Sequence, residues 1–249
     1  MKNDILILEQ LSMNAWPSLQ SMFYDGWILR FANGVTRRSN SVNPMYESTR
    51  DVEEKIAFCE KIYSEKILPT IFKLTSAACP AQLDEVLSQR NYQRQAETSV
   101  QTFDLTKAIF EANRSIILNE NLEENWVKSF VSLNKYDTDK NQIYHAILQN
   151  IIPETIFASY RIGNRIVGCG LGVKQGKYIG LFDIVVDEEH RGVGLGYYIV
   201  TSLMKWGKSK GATIAYLQVM TDNEIARHLY EKLGFEEQYK YWYRVKKHK

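Results

Sequence analysis

The sequence predicts an α/β fold of the α+β type, with two units in tandem that each have a mixed, mostly antiparallel sheet flanked by helices. Two observations support this prediction. The second half has the order of a strand meander, a glycine-rich loop, a helix and a further strand. In addition, residues 70–92 align with residues 213–235 without a gap when the sequence is compared with itself at an offset of 143 residues. We therefore place a first domain at residues 1–112 and a second at 113–249.

Composition places the chain among soluble globular proteins. Its 249 residues are 45% hydrophobic and 24% charged, which allows a sizeable core. The net charge is +2, and the only basic run is the short tail Arg244–Lys249, so nothing indicates a nucleic-acid partner. No run reaches the ~18 apolar residues that a membrane helix needs, so we expect no membrane partner.

The N-terminus and the cysteines are typical of a cytoplasmic protein. Charged residues interrupt the apolar positions of Met1–Leu11, so this stretch does not resemble a signal peptide. The three cysteines are scattered and lack C-x-x-C spacing, which argues for a reducing compartment and against disulfides or structural zinc. The histidines form no ligand cluster, and we expect no metal.

Helix and strand signals alternate through the first half. A helical pattern opens the chain at residues 5–23, with a break at Trp16-Pro17. Asn33-Gly34 between two alternating runs predicts a hairpin, and Asp51 is placed to cap a helix that ends near Tyr63. The remaining predictions are hairpin strands at 26–32 and 35–38, strands at 70–74 and 99–105, and a helix at 80–89.

The second half begins with helical patterns and continues with a three-strand meander. In the middle strand, glycine recurs at alternate positions from Gly168 to Gly172, which predicts either a close approach of another element or a bulge. Gly234 is placed to end the last helix. We predict helices at 123–134, 138–149, 197–208 and 223–232, and strands at 155–161, 166–173, 178–186, 213–219 and 238–245.

A glycine-rich loop joins the third strand of the meander to a helix. Glycines before a helix let the backbone approach a ligand, and the free N–H groups of the first turn favour phosphate. The dinucleotide fingerprint fails because Tyr197 stands where its third glycine should be, and no Gly-Lys-Ser/Thr of a P-loop follows. The pattern that fits is Arg-x-x-Gly-x-Gly, with Arg191, Gly194 and Gly196. We expect this loop to bind a pyrophosphate.

A second motif lies downstream. Asn223 and Tyr230 are two helical turns apart and share a helix face with Ala226, and Leu233-Gly234-Phe235 follows. Together, the two motifs resemble the acetyl-CoA site of the GNAT N-acetyltransferase superfamily. The first half also resembles the N-terminal halves of tandem-GNAT bacterial proteins. The shifted alignment places Leu87 opposite Tyr230 and provides no glycines for a phosphate loop. We therefore interpret the first half as a degenerate unit that has lost its cofactor site.

The resemblance implies a role for each matching residue. The backbone of Val185 and Val186 would pair with the pantetheine arm of acetyl-CoA, and the Val186 N–H would polarise the thioester carbonyl. Tyr230 would protonate the departing thiolate, and Asn223 would contact the cofactor or cap the helix. The residues implied to hold the pyrophosphate are Arg191, Gly192, Val193, Gly194, Leu195 and Gly196.

The general base is not evident from the sequence. An alkyl amine with a pKa near ~10.4 must lose a proton before it attacks. The strand positions expected to face the acceptor hold Gly180 and Phe182, while alternation turns the carboxylate of Asp183 to the other face. Asp183, a water chain or a group from the first half remain alternatives for the base.

The acceptor is an amine that the sequence does not identify, either a small molecule or a peptide. Phe182 and a polar cluster in the first half are candidates to face it, although a solvated hairpin rim is an equal explanation of the cluster. The candidate residues of the cluster are Arg37, Arg38, Asn40 and Asn43.

The leading functional hypothesis is a cytoplasmic N-acetyltransferase that uses acetyl-CoA and no metal, as a monomer or a homodimer. A non-catalytic protein that binds or senses acyl-CoA is the alternative, because no base is evident. A nucleotide-binding protein that uses the glycine loop is a third hypothesis.

Overall fold

A computed structural model describes residues 2–110 and 115–248. It confirms the predicted α/β class, since mixed strands are flanked by helices. The chain forms two compact units: unit 1 comprises Met1–Ser99, Met220–Asp222 and Gln238–Lys249, and unit 2 comprises Val100–Val219 and Asn223–Glu237. The predicted domain boundary between residues 112 and 113 lies outside the described residues.

Unit 1 has the strand order β1-β2-β3-β4-β11. Neighbouring strands are antiparallel except β3 and β4, which are parallel at Val42 and Phe72. Buried aromatic and aliphatic side chains from β2, β4, α2 and α3 form its core. The elements are α1 (Lys2–Ala15), β1 (Gln20–Tyr24), β2 (Trp27–Phe31), β3 (Val42–Pro44), α2 (Val52–Glu65), β4 (Thr70–Thr75), α3 (Leu83–Gln89), β5 (Gln93–Asp104) and β11 (Glu236–Lys246).

The first hairpin of unit 1 differs from the prediction. The opening helix ends at Ala15, and residues 20–24 form β1, which pairs with β2 around the two-residue turn Asp25-Gly26. Both turn residues have positive φ, 44° and 81°, as a type I′ turn requires. Asn33-Gly34 is also a turn with positive φ, but residues 35–38 form no strand. The hairpin signal was therefore Asp-Gly rather than Asn-Gly.

The last strand of the chain contributes most of its residues to unit 1. β11 runs antiparallel to β4, with Tyr241 opposite Thr75 and Lys246 opposite Thr70. Its tyrosines at positions 239, 241 and 243 are buried, as the predicted alternation requires. The structure thus divides the chain differently from two consecutive domains, because hydrogen bonding to β4 places residues 238–249 in unit 1.

Unit 2 has the strand order β5-β10-β9-β8-β7-β6, in which residues 100–104 of β5 take part. The meander β7-β8-β9 is antiparallel as predicted, and β10 is parallel to β9. The strand β6, at the edge of this order beside β7, was not predicted. The elements are β6 (Ile116–Asn119), α4 (Glu124–Leu133), α5 (Asn141–Gln149), β7 (Glu154–Ile162), β8 (Arg165–Gln175), β9 (Tyr178–Val186), α6 (Leu195–Ser209), β10 (Ile214–Met220) and α7 (Glu224–Leu233).

The alternating glycines of β8 have both predicted explanations. A Cβ added at Gly168 would lie 3.0 Å from Ile199, and one at Gly170 would lie 2.5 Å from the same side chain. The glycines therefore let α6 pack close to the sheet. The register between β8 and β9 also shifts between Cys169 and Leu171, so a bulge lies beside Gly170.

The internal repeat is visible in the geometry. Asn91 has φ 63° and Gly234 has φ 91°, so both adopt the left-handed conformation that ends a helix. The next residues, Tyr92 and Phe235, are buried in their units, and each donates its N–H to a carbonyl five residues earlier, that of Leu87 or Tyr230. The matching caps support a common origin of the two segments.

Candidate active site

The candidate site of unit 2 begins where two parallel strands separate. Pairing between β9 and β10 ends at Leu181 and Leu217, although β9 continues to Val186. A cavity of about 390 Å³ lies in this region. It is lined by Asn134, Ile184, Val185, Val186, His190, Arg191, Gly192, Gly194, Leu195, Gly196, Tyr197, Asn223, Ile225, Ala226, Leu229 and Tyr230.

A bulge in β9 changes the direction of the side chains that follow it. Asp183 has φ 54°, and Ile184 and Val186 pack on the α6 side of the sheet, as Ile179 and Leu181 do before the bulge. The simple alternation that predicted Asp183 on the face away from Phe182 is therefore interrupted.

The charge of Asp183 acts on the buried thiol of Cys169. Cys169 alternates with the glycines that face α6, so its thiol points to the opposite side. Burial and, to a lesser degree, the charge of Asp183 raise the pKa of this thiol to about 12. Asp183 is therefore close enough to Cys169 to act on the protonation of its thiol.

The end of β9 presents backbone groups toward the cavity. Asp187 donates its N–H to Val167 of β8 at 2.9 Å. Because successive N–H groups of a strand point in opposite directions, the N–H of Val186 points away from β8. The carbonyl of Val186 accepts a hydrogen bond from Nε of Arg191 at 3.1 Å, which holds that side chain against the strand end.

The glycine loop has the conformation that its sequence requires. Gly192 and Gly194 have φ 80° and 85°, which side chains rarely adopt. Gly194 is the N-cap of α6, and the helix starts at Leu195, two residues before its predicted start. The first N–H groups of α6 have no acceptor within the helix, so the loop offers donors to an anion. Gly196 faces Leu229, which a Cβ would approach to 3.3 Å.

Helix α7 forms the opposite wall of the cavity. Asn223 is its N-cap, with the side-chain oxygen accepting from the N–H of Ala226 at 3.1 Å. Tyr230 is 7% exposed and packs against Phe235, with ring centroids 5.8 Å apart. Burial raises the pKa of Tyr230 to about 12, so its phenol keeps its proton at neutral pH.

Charged side chains surround the short turn between β9 and the glycine loop. Asp187 accepts from the N–H of Glu189 at 3.1 Å, which holds the pKa of that carboxyl below its usual range. Its other contacts are with Arg165 at 2.5 Å and with Nδ1 of His190 at 3.3 Å. Lys135 pairs with Glu188 at 2.8 Å. These contacts fix the turn beside the cavity.

The predicted acceptor residues of unit 1 have structural contacts. Oδ1 of Asn40 accepts from the N–H groups of Ala32 and Gly34, at 2.8 and 3.0 Å. Nδ2 of Asn43 donates to the Ser41 carbonyl at 2.9 Å. The two asparagine side chains are buried and stabilise the backbone around the Asn33-Gly34 turn and β3.

The remaining candidates also have neighbours that explain them. Arg37 donates to Gln95 at 2.7 Å, and the guanidinium of Arg38 lies 4.6 Å from the ring centroid of Trp16. Phe182, in unit 2, is buried against Tyr216 at a centroid distance of 5.8 Å. A Cβ at Gly180 would lie 2.4 Å from Phe182, so that glycine makes room for the ring. A role for any of these residues in acceptor binding stays a prediction.

Sequence reasoning did not single out several residues of the cavity wall. Tyr197 was noted only as the residue that breaks a dinucleotide motif, and Ala226 only as a small residue in the second motif. The others become neighbours of the loop only through the fold, because they lie at the end of α4, in the bulged part of β9, in the turn after β9 or on α7. These residues are Asn134, Ile184, His190, Ile225 and Leu229.

The family model described as "Probable histone acetyltransferase Rv0428c C-terminal" matches residues 2–244. The chain belongs to this family. It is 30% identical over 253 residues to the uncharacterized N-acetyltransferase YobR of Bacillus subtilis (strain 168), an alignment that covers 98% of this chain and 100% of that protein. The predicted GNAT membership is therefore confirmed, and the chain is an acyltransferase of the N-acetyltransferase type.

Solved structures agree with this assignment at the level of the fold. A GCN5-related N-acetyltransferase from Kribbella flavida aligns with a TM-score of 0.71 at 13% identity, covering 98% of this chain and 96% of that one. A tandem GNAT protein from the clavulanic acid biosynthesis pathway aligns with a TM-score of 0.59 at 12% identity, covering 78% and 68%. The predicted fold is thereby confirmed.

The described residues form neither a membrane-spanning helix nor a metal-binding cluster. Within residues 2–110 and 115–248, no helix has the length and apolar character needed to cross a bilayer. In the same part of the chain, no three His, Cys, Asp or Glu side chains are grouped so as to hold a metal ion.

Proposed function

We propose that this acyltransferase transfers the acetyl group of acetyl-CoA to a primary amine by direct attack. The observation that carries the proposal is the composition of one cavity. The open end of β9, the glycine loop at the start of α6 and the buried phenol of Tyr230 all line it. These are a strand edge for an amide-containing arm, donors for phosphates and a proton donor for a thiolate.

The donor would lie along β9 and end at α6. Coenzyme A carries amides in its pantetheine arm, and the outward-facing backbone of Val186 would pair with them as with an added strand, while Val185 lines the cavity beside it. The Val186 N–H, which points away from β8, would polarise the thioester carbonyl. The N–H groups from Arg191 to Gly196 would bind the pyrophosphate.

Tyr230 is the proposed general acid. As the amine nitrogen attacks the thioester carbon, the carbon–sulfur bond breaks and the sulfur leaves as a thiolate. A phenol that keeps its proton up to a pKa of about 12 is protonated in nearly every molecule at neutral pH and supplies the proton to the sulfur. Asn223 would support this arrangement by fixing the start of α7.

Asp183 is the proposed general base. The proposal is supported by the bulge at Asp183, which interrupts the alternation that would turn this carboxylate away from the acceptor face. It would take the proton that the attacking amine must lose, either directly or through water. The acceptor would thus approach on the side of the sheet opposite α6.

The test is acetyl-CoA turnover with a panel of amines, in wild type and in Tyr230→Phe. We expect Tyr230→Phe to lower kcat by about 100-fold, because general acid catalysis contributes about 10²–10⁴-fold, and to leave the Kd of acetyl-CoA unchanged. The matched control is Tyr92→Phe, which removes a buried hydroxyl that donates to Glu60 in unit 1. An unchanged kcat in Tyr230→Phe would exclude this acid. Tight acetyl-CoA binding without turnover of any amine would favour a sensor.

A further inference from the structure

Two apolar side chains on the cavity wall remain open to solvent. Tyr197 is the third residue of α6 and is 45% exposed, and Ile225 lies in the first turn of α7 and is 78% exposed. Both line the cavity that contains the glycine loop. Neither belongs to the core, so their position at a ligand cavity indicates contact with a bound molecule.

The packing of the two helices defines where these side chains lie. α6 and α7 approach each other at Gly196 and Leu229, where a Cβ on the glycine would be 3.3 Å from the leucine. Tyr197 follows Gly196 directly, and Ile225 precedes Leu229 by one helical turn on the same face. The two exposed side chains therefore flank the close contact between the helices.

The ring of Tyr197 is held by its neighbour. It meets the ring of Tyr198 with a centroid distance of 5.6 Å and an interplanar angle of 79°. An edge-to-face contact of this kind is favourable and restricts ring rotation. Tyr197 thus presents an aromatic surface in a limited range of orientations.

We propose that Tyr197 and Ile225 form a slot for the adenine ring of the donor, with Tyr197 as the stacking surface. This inference rests on the proposed function, because it takes the donor to be a coenzyme A thioester. The adenosine is bonded to the pyrophosphate, so a pyrophosphate at the start of α6 brings the base near Tyr197. A purine offers a flat face on either side, which suits an aromatic ring on one side and an aliphatic chain on the other.

The test compares two donors that share the thioester arm. Acetyl-CoA carries the adenosine, whereas acetyl-phosphopantetheine ends at one phosphate. In Tyr197→Ala we expect the Kd of acetyl-CoA to rise about tenfold, within the range measured for base stacking on aromatic side chains, while the Kd of acetyl-phosphopantetheine stays the same. Tyr197→Phe should bind both donors as wild type does, and Ile225→Ala should weaken acetyl-CoA alone.

Tyr46→Ala is the matched control, because Tyr46 is also 40% exposed, lies in unit 1 and does not line the cavity. It should change neither Kd by more than about twofold. Equal weakening of both donors by Tyr197→Ala, or of neither, would overturn the slot while leaving the proposed function in place. A wild-type protein that binds neither donor would overturn both.

Discussion

Two helices at equivalent positions of the internal repeat differ in what their first N–H groups bind. In unit 1, α2 is capped by Asp51, whose carboxylate accepts from the N–H groups of Glu53 and Glu54 at 2.9 and 3.2 Å. In unit 2, α6 is capped by Gly194, which stands 143 residues later, at the offset of the repeat, and has no side chain. A helix start favours a negative charge. Unit 1 supplies that charge itself, whereas unit 2 leaves the position open.

The segment before each helix shows the same difference. In unit 1, Asp25 accepts from the N–H and hydroxyl of Thr49 and from the N–H of Arg50, at 2.9–3.1 Å. These N–H groups hold the pKa of the Asp25 carboxyl well below its usual range. In unit 2 the positions equivalent to Thr49 and Arg50 are Gly192 and Val193 of the glycine loop. Under the proposed function, carboxylates of unit 1 thus occupy the positions that the phosphates of the donor would take in unit 2.

The largest predicted effect concerns a buried position that carries a charged side chain in unit 1 and an uncharged one in unit 2. Lys73 of β4 is equivalent in the repeat to the buried Tyr216 of β10, and its Nζ lies 2.6 Å from Glu9, whose other oxygen accepts from Tyr239 at 2.8 Å. Glu9→Leu leaves the lysine charge buried without its partner. We expect the free energy of unfolding, measured with urea, to fall by about 3–5 kcal/mol.

The double variant Glu9→Leu with Lys73→Met is the control for this effect. It removes both charges at similar volume and should recover most of the lost stability. If the single and double variants are equally unstable, packing rather than the charge pair determines the contribution of this site.

The next effect tests the open helix start directly. Gly194→Asp would give α6 the carboxylate that α2 already has, and would repel the phosphates of the donor. We expect the Kd of acetyl-CoA, measured by calorimetry, to rise by at least about 100-fold, or about 2.7 kcal/mol.

Gly211→Asp is the matched control for strain. Gly211 has φ 88°, close to the 85° of Gly194, and a Cβ there would meet nothing within 4 Å. The same substitution should therefore lower the melting temperature and leave acetyl-CoA binding unchanged. Equal loss of binding in both variants would mean that general destabilisation explains the result.

The sequence was sufficient for the features with strong local signals. The glycine loop, the N-caps at Asp51 and Asn223 and the C-cap at Gly234 depend on single residues whose conformation or hydrogen bonding is nearly fixed by their type. The predicted strand 178–186 has its exact bounds, because its apolar run ends in polar residues. These features sufficed to predict the loop before α6 and the helix α7, whose residues line the same cavity.

Features that depend on distant partners were missed. The short strand β6 has no pattern of its own and is defined by pairing with β7. The bulge at Asp183 depends on the register of β8, so the simple alternation assumed from the sequence does not hold at this residue. The placement of β11 in unit 1 depends on its hydrogen bonds to β4, which no local pattern encodes.

The number of acetyl-CoA molecules bound per chain tests the central claim most directly. Calorimetric titration of the wild type should give one site, because of the two equivalent helix starts α2 has the carboxylate of Asp51 at its cap and α6 has Gly194. Asp51→Ala should still give one site while losing about 1 kcal/mol of stability with its cap. Two equivalent sites in the wild type would contradict the account, because Asp51 and Asp25 would then not prevent phosphate from binding at the start of α2.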